Sequence, residues 1–139
     1  MTAVIDHTVQ IRLLTRTGAA RRLTATLRYR PQDPLAVRVL FPAEASLDGA
    51  EAPWVFAREL LHAGLSGAAG TGDVRLWPCG RRQVMLELHT PEGVALVELD
   101  TGDVRRFLRA AYACVPRGAE RTGAPLERCL DELLRGVSG

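Results

Sequence analysis

The chain of 139 residues contains no lysine, few aromatic residues and no long apolar run. All 18 of its basic residues are arginine, which a GC-rich coding bias explains as readily as a need for the planar guanidinium group. No segment approaches the roughly 20 apolar residues of a membrane helix, and the N-terminus lacks the basic and apolar regions of a signal peptide. These absences predict a cytoplasmic protein.

Cysteine is scarce as well, and its positions favour reduced thiols. Cys79, Cys114 and Cys129 are odd in number and have no CxxC spacing, which argues against a disulfide framework or a zinc knuckle. Cys114 and Cys129 lie on apolar helix stripes and are expected in the core, whereas Cys79 is expected to be accessible. The three histidines have no ligand spacing either, so we expect no metal site and no cofactor.

A catalytic constellation is also missing from the sequence. None of the few serines lies in a GxSxG elbow, and the glycine cluster GAAGTGD follows a helix and precedes a strand, the reverse of a phosphate-binding loop. Alternation on a solvated sheet face explains the acidic residues between positions 87 and 100. We therefore expect no catalytic residue, and an enzyme is the least favoured class of protein.

The charges are unevenly distributed along the chain. Residues 1–30 carry six arginines against one acid, residues 31–100 carry five against ten acids, and residues 101–139 carry seven against five. A basic first hairpin beside an acidic middle suits docking onto an acidic protein surface or pairing between subunits. A nucleic-acid-binding protein usually shows a larger basic excess.

The sequence does contain clear strand patterns. Residues 5–13 and 23–30 alternate apolar and polar side chains around a turn at residues 16–18, which predicts an antiparallel hairpin with one apolar face and one arginine-threonine face. Further strands are predicted at residues 35–41, 53–56, 73–77, 83–89 and 93–99, with a polar loop at residues 42–52. Pro53 fits a strand start or a sheet edge.

Three helices are predicted as well. The first, at residues 57–63, is expected to bury Leu60 and Leu61 and to leave Arg58 and Glu59 exposed. The second and strongest follows a capping Asp100 and ends at Pro116, and the third begins at Pro125. The order of strands, short helix, strands and two helices predicts a single α+β domain over residues 1–139 with a mainly antiparallel sheet.

Three sequence blocks carry a family resemblance. They are WVFARELLHAGLSGAAGTGDVRLWP from Trp54 to Pro78, LRYRPQDPLAVRVLF from Leu27 to Phe41, and TPEGVALVEL from Thr90 to Leu99. In order and spacing they resemble the SsgA-like proteins of sporulating actinobacteria, and most of all the SsgB-like branch, which places the division ring. Two departures, Pro53 before WVF and the short segment PCGRR after Trp77, leave the paralogue open.

The resemblance implies a whirly-like α+β fold and a non-catalytic adaptor in sporulation-specific cell division. It implies a homotrimer in the cytoplasm at the division septum, which recruits or positions FtsZ directly or through another SsgA-like protein, or guides spore-wall remodelling. Membrane attachment is expected only through a partner. Repeated copies of one weak patch would raise the effective affinity through multivalency.

The partner-binding candidates lie in the longest of the three blocks. They are Trp54, Arg58, Glu59, Arg75 and Trp77. Tryptophan and arginine are the residue types most enriched at interaction hot spots. The plainer interpretation, which carries the greater weight for each residue, is that the tryptophans pack in a core or subunit interface and that Arg58 and Glu59 coat a helix.

A single-stranded nucleic-acid-binding module of whirly type is the alternative. Arg12, Arg22, Arg28 and Arg30 share one face of the first hairpin, as a phosphate-binding surface requires. Aromatic residues for base stacking make up only 5% of the chain, and the alternation pattern assigns Tyr29 to the core. Nucleic-acid binding is therefore disfavoured.

Overall fold

Seven antiparallel strands form one sheet in the computed structural model, which describes residues 4–14, 19–42, 53–91 and 93–120. The strands are β1 (Ile5–Leu14), β2 (Ala20–Tyr29), β3 (Ala36–Leu40), β4 (Pro53–Ala57), β5 (Val74–Cys79), β6 (Gln83–Thr90) and β7 (Gly93–Asp100), and the helices are α1 (Arg58–Ala63) and α2 (Thr101–Cys114). The sheet order is β4-β3-β2-β1-β7-β6-β5. The predicted α+β class with a mainly antiparallel sheet is confirmed.

The strand predictions agree with the structure to within a few residues. In the first hairpin Ile5 pairs with Tyr29 and Leu14 with Ala20, which confirms the predicted antiparallel pairing of these two strands. Pro53 begins β4, an edge strand, as its missing N–H requires. The turn at residues 16–18, the loop at residues 43–52 and the third predicted helix lie outside the described residues.

The helix α2 forms where its capping signal predicts. Asp100 has an extended backbone, and its carboxylate accepts a hydrogen bond of 3.0 Å from the N–H of Asp103. The buried residues of α2, Val104, Phe107, Leu108 and Ala111, recur at helical spacing and pack on the core face of the sheet. Cys114 is exposed, so its predicted place in the core is wrong.

The sheet curls, and α1 spans the space between its two edge strands. This six-residue helix, about 9 Å long, follows the edge strand β4 directly. Gly64, just after α1, packs so closely on the opposite edge strand that a Cβ there would lie 2.5 Å from the Cβ of Leu76. Curling therefore brings β4 and β5, which are farthest apart in the sheet order, to the two ends of one short helix.

The core fills the concave side of this curled sheet. Alternate residues of every strand face it, and Leu61 of α1 and the apolar stripe of α2 complete it. Neither described helix packs on the other side, which we call the outer face. The alternation along β1 and β2 places Arg12, Arg22 and Arg28 there, as the hairpin pattern predicts.

Candidate functional site

Arg58 is the most unusual side chain in the described structure, because it is an arginine that is only 1% exposed. It is the first residue of α1, and its side chain points into the core beside Tyr29 of β2 and the C-terminal end of α2. Arg58 and Leu61 are both buried, and their i, i+3 spacing places them on the same face of the helix. A buried charge of this kind requires hydrogen bonds and a counter-charge.

The surrounding groups supply most of these partners. One terminal nitrogen, Nη1, donates to the hydroxyl of Tyr29 at 3.1 Å and to the backbone carbonyls of Ala111 at 3.2 Å and Val115 at 2.7 Å. The other, Nη2, donates at 2.7 Å to the carboxylate of Glu120, whose side chain is 13% exposed. The buried Nε of Arg58 finds no acceptor among the described residues. Arg58 thus ties α1 to β2 and to the chain after α2.

Two tyrosines enclose the guanidinium. Its central carbon lies 4.1 Å from the ring centroid of Tyr112 and 5.1 Å from that of Tyr29, within the range of cation–π attraction. Burial raises the pKa of both tyrosines, so they stay neutral and act as hydrogen-bonding groups. The pKa of Glu120 is lowered, first by a hydrogen bond from its own backbone N–H, with a further contribution from the hydrogen bond that Arg58 donates.

The prediction that Arg58 is exposed is therefore wrong. A charged arginine side chain is normally exposed to solvent. The guanidinium of Arg58 is instead hydrogen-bonded to residues 29, 111, 115 and 120, which are distant from it in sequence. One local signal was available, namely the i, i+3 spacing of Arg58 and Leu61. The roles of Tyr29, Tyr112 and Glu120 had no signal in the strand or helix patterns.

The other candidates in the first half of the block have different environments. Glu59 is exposed, as predicted, and accepts hydrogen bonds from the hydroxyl of Tyr112 at 3.1 Å and from Nε of Arg117 at 2.8 Å. Trp54 on β4 is half-buried and packs against the core. Its position agrees with the plainer interpretation of a packing residue.

Arg75 and Trp77, from the second half of the block, lie on the outer face of the edge strand β5. Arg75 is exposed and pairs in register with Glu87, while the half-buried Trp77 pairs with Met85, which is 6% exposed but does not belong to the core cluster. We call Arg75, Trp77, Met85, Glu87 and Val94 the outer patch. Val94 of β7 is 51% exposed, and Glu87 lies 2.6 Å from Nε2 of His89.

The five sequence candidates do not form one surface. Trp54 and Arg58 face the core at the β4 end of α1, whereas Arg75 and Trp77 face outward on the opposite edge strand. Only Arg75 and Trp77 share a face and a strand. The structure therefore divides the predicted surface into an internal cluster and the outer patch.

The arginines of the first hairpin are partly neutralised. Arg28 makes a bidentate pair with Asp6, at 2.7 and 2.9 Å, and Arg12 lies 3.3 Å from a carboxylate oxygen of Glu98. The hydrogen bond from Arg28 lowers the pKa of Asp6, which keeps that carboxyl ionised. Tyr29 is fully buried, which confirms its predicted assignment to the core.

A cavity of 220 Å³ lies where β1 and β7 separate. It is open to solvent and is lined by Gln10, Ile11, Arg12, Arg22, Gln83, Glu98, Leu99 and Asp100. None of these is a serine, cysteine or histidine, and the two carboxylates belong to Glu98, which pairs with Arg12, and to Asp100, which caps α2. Within the described ranges, no three metal-ligating side chains come together.

These features place the chain in a class of small α+β proteins with a curled antiparallel sheet, and both helices of the described ranges pack on one face of that sheet. Residues 23–120 match the family described as the Streptomyces sporulation and cell division protein SsgA. The chain belongs to this family, which is a family of cell division proteins and not a known enzyme family. The resemblance of the three sequence blocks is thereby confirmed.

Relatives with the name SsgB, sporulation-specific cell division protein, match over almost the whole chain. The Kineococcus radiotolerans protein is 41% identical over 94% of this chain and 79% of its own length. The Salinispora tropica protein is 42% identical over 95% and 94%, and the Streptomyces coelicolor protein is 37% identical over 96% and 98%. These names support a role for this chain in sporulation-associated cell division.

Two solved structures share the fold. An SsgA-like sporulation-specific cell division protein from Thermobifida fusca superposes with a TM-score of 0.79 at 32% identity, covering 94% of this chain and 96% of its own. An SsgB structure, from work that correlates SsgB mutations with longitudinal cell division during sporulation of Streptomyces coelicolor, superposes with a TM-score of 0.75 at 35% identity. The match covers 86% of this chain and 94% of that one.

Among the described residues, neither α1 nor α2 is long and apolar enough to cross a bilayer.

Proposed function

We propose that this chain is a non-catalytic adaptor of sporulation-specific cell division that takes part in septum placement by binding FtsZ, directly or through another SsgA-like protein. Membership of the family supports a role in sporulation-specific cell division. The proposed binding surface rests on the observation that Arg75 and Trp77 lie together on the sheet face that neither described helix covers.

The outer patch has the composition of a protein-binding surface. Tryptophan, arginine and methionine are enriched at interfaces, and here they lie on adjacent strands as Trp77, Arg75 and Met85. Val94 adds an exposed apolar side chain on β7, and Glu87 adds a charge opposite Arg75. Such a patch suits a partner with an apolar anchor and charges of both signs at its rim.

The proposal includes assembly and location. The family resemblance implies a homotrimer in the cytoplasm at the division septum, with membrane contact only through a partner. Three copies of the outer patch would bind a polymer such as FtsZ with higher effective affinity than one copy, because the second and third contacts become intramolecular. A weak single contact would then be sufficient.

Co-sedimentation with polymerised FtsZ from the same organism tests this proposal. We expect the wild-type chain to pellet with polymer at moderate salt, and the Arg75→Glu and Trp77→Ala variants to remain in the supernatant. Arg105→Glu is the matched control, because Arg105 is an exposed arginine on α2 away from the outer patch. A bystander protein controls for trapping, and thermal unfolding verifies that each variant is folded.

Two results would contradict the proposal. Absence of wild-type pelleting, with and without a second SsgA-like protein, would remove FtsZ as the partner and favour spore-wall remodelling through other proteins. Pelleting that survives both outer-patch substitutions would retain FtsZ but reject the surface. The two outcomes therefore separate the partner from the site.

A whirly-like single-stranded nucleic-acid-binding module is the second candidate. It is favoured by the row of arginines on the outer face of β1 and β2, and disfavoured by the pairing of Arg12 with Glu98 and of Arg28 with Asp6. Fluorescence anisotropy with labelled single strands between about 50 and 200 mM salt tests it, because phosphate contacts release counterions. A steep loss of affinity with salt would support this function, and absence of binding at the lowest salt would reject it.

A further inference from the structure

The segment Val115–Glu120, which we call the strap, follows α2 and returns to α1. Side-chain contacts join the strap to two neighbouring residues of α1 and to Tyr112 of α2. Arg58 donates to the carbonyl of Val115 and to the carboxylate of Glu120, and Glu59 accepts from Arg117. Arg117 also donates to the hydroxyl of Tyr112 on α2 at 3.5 Å and lies 5.3 Å from the centroid of its ring. The other hydrogen bonds of the strap are local: Val115 N–H to Ala111 O, Ala119 N–H to Pro116 O, and Gly118 N–H to Glu120 Oε2.

Little apolar surface holds the strap in place. Residues 116–119 are exposed, and Val115 is the residue of the strap that packs against the core cluster. Segments with few buried apolar contacts open locally at a lower free energy than the sheet to which they are attached. Opening of the strap would leave every strand pairing of the sheet intact, because no residue of the strap belongs to a strand.

The closed position of the strap brings the Glu120 carboxylate next to the buried guanidinium of Arg58. The buried guanidinium of Arg58 is surrounded by neutral acceptors, the Tyr29 hydroxyl and two carbonyls, and by one carboxylate, that of Glu120. The neighbouring carboxylate of Glu59 is bonded to Tyr112 and Arg117 instead. A buried arginine that loses its counter-charge is strongly unfavourable unless water reaches it, and water reaches Arg58 when the strap opens.

We propose that the strap is a local two-state element whose clasp is the Arg58–Glu120 ion pair, and that loss of the Glu120 carboxylate opens the strap and exposes the cluster of Arg58, Tyr29 and Tyr112 while the sheet stays folded. This device is independent of the outer patch and of the identity of the partner.

Hydrogen exchange of the full chain tests the clasp. In Glu120→Ala we expect the amides of Val115 and Ala119, whose hydrogen bonds do not involve the substituted side chain, to exchange at least tenfold faster than in the wild type, while amides of β2 and β6 keep their protection. Glu120→Gln, which retains a hydrogen-bond acceptor but no charge, is expected to fall between the two. Glu59→Gln is the matched control, because it removes the charge from the other ion pair between α1 and the strap but leaves the clasp intact.

Limited trypsin digestion provides a second readout. Arg117 is exposed within the strap, so opening is expected to speed cleavage after Arg117 in both Glu120 variants and not in Glu59→Gln. Unchanged exchange and cleavage in Glu120→Ala would overturn the proposal, because the strap would then be held by something else. An equal loss of protection in the strap and the sheet would also overturn it, because the strap would not be a separate unit.

Acidification of the wild-type chain is the third readout. The pKa of Glu120 is below its ordinary 4.5, so its stabilisation of the closed strap is complete above about pH 4.5 and is lost as pH falls through the lower folded pKa. The groups facing the cluster are Glu59 and His62 on α1, Tyr112 and Cys114 on α2, Tyr29 on β2 and Arg117 on the strap. The acid opening is expected to persist in Glu59→Gln and His62→Gln and to be absent from Glu120→Gln, and persistence in Glu120→Gln would contradict the assignment.

Discussion

The two halves of the block Trp54–Pro78 contain the same residue types in opposite environments. In the first half Trp54 packs against the core, and Arg58 is buried between two tyrosines. In the second half Arg75 is exposed and Trp77 lies on the outer face of β5. The comparison shows that one motif can contain two tryptophan–arginine pairs with different roles. The pair at one end packs in the protein interior, and the pair at the other end lies on the outer face, where a partner can reach it.

The side of the sheet on which a residue lies explains the difference. Alternation along a strand sends neighbouring side chains to opposite faces, and α1 turns its first residue inward. An inward polar side chain needs several fixed partners, so its loss affects stability. An outward one is solvated in the unbound protein, so its loss affects binding. The following predictions test this division, beginning with the largest expected effect.

The largest effect is expected from Arg58→Ala compared with Arg75→Ala. Removing Arg58 leaves a cavity, a Glu120 carboxylate without its ion-pair partner and a Val115 carbonyl without the donor from Arg58, so we expect the free energy of unfolding to fall by about 3–5 kcal/mol. Arg75→Ala is expected to change it by less than about 0.5 kcal/mol, because Arg75 is exposed. Urea unfolding of both variants measures the difference, and equal losses would break the comparison.

Gly64→Ala tests the close approach of the two edges. The added Cβ would lie 2.5 Å from the Cβ of Leu76, so α1 or β5 must shift, and we expect a loss of about 1–3 kcal/mol in the free energy of unfolding. Gly67→Ala is the matched control, since nothing lies within 4 Å of its Cβ position. Thermal unfolding that gives both variants the same midpoint would contradict the packing of α1 between the edges.

Tyr29→Phe tests the neutral part of the internal cluster. The Tyr29 hydroxyl donates to the carbonyl of Pro34 at 3.0 Å and accepts from Arg58, so its removal is expected to cost about 1–2 kcal/mol. Tyr112→Phe removes a hydroxyl whose partners, Glu59 and Arg117, are both exposed, and a loss below about 0.5 kcal/mol is expected. A larger loss in Tyr112→Phe than in Tyr29→Phe would reverse the inferred roles of the two tyrosines.

The smallest effect is expected at the outward ion pair of Asp6 and Arg28. Its contribution is about 0.2–1 kcal/mol, because both side chains are partly solvated and salt screens them. The pKa of Asp6 is lowered from 3.8, so this contribution is present above about pH 3.8 and is lost as pH falls through the folded pKa. Asp6→Asn is expected to lower the free energy of unfolding by this amount at low salt. The difference between the variant and the wild type is expected to shrink in 0.5 M NaCl, which screens the ion pair. Salt-independent destabilisation would indicate a structural role instead.

Much of the fold follows from patterns within short stretches of the sequence. The alternation in the first hairpin predicted both strands and their two faces, and Asp100 predicted the start of α2. These features depend on side-chain periodicity and on one capping group, both of which are local. The exposure of Glu59 was predicted for the same reason. The environment of Arg58 was not, because its partners belong to β2, the end of α2 and the strap.

The surface candidates show the same limit. Equal parity predicts that Arg75 and Trp77 share a face, but parity does not tell which face the helices will cover. Cys114 lies at helical spacing from buried residues, yet it is exposed at the last position of α2, where the helix leaves the core. Periodicity describes one element, whereas burial depends on what packs against that element.

The sequence by itself determined the positions of the described strands and helices, the antiparallel α+β class and the family, because periodicity, capping and motif order depend on residues that are neighbours in the chain. The tertiary structure decided which half of the block Trp54–Pro78 faces inward, which arginine is buried and which tryptophan remains on the surface. Curling of the sheet around α1 determines which of these residues are buried. It brings segments that are distant in sequence together, and they provide the hydrogen bonds and counter-charge that a buried guanidinium requires.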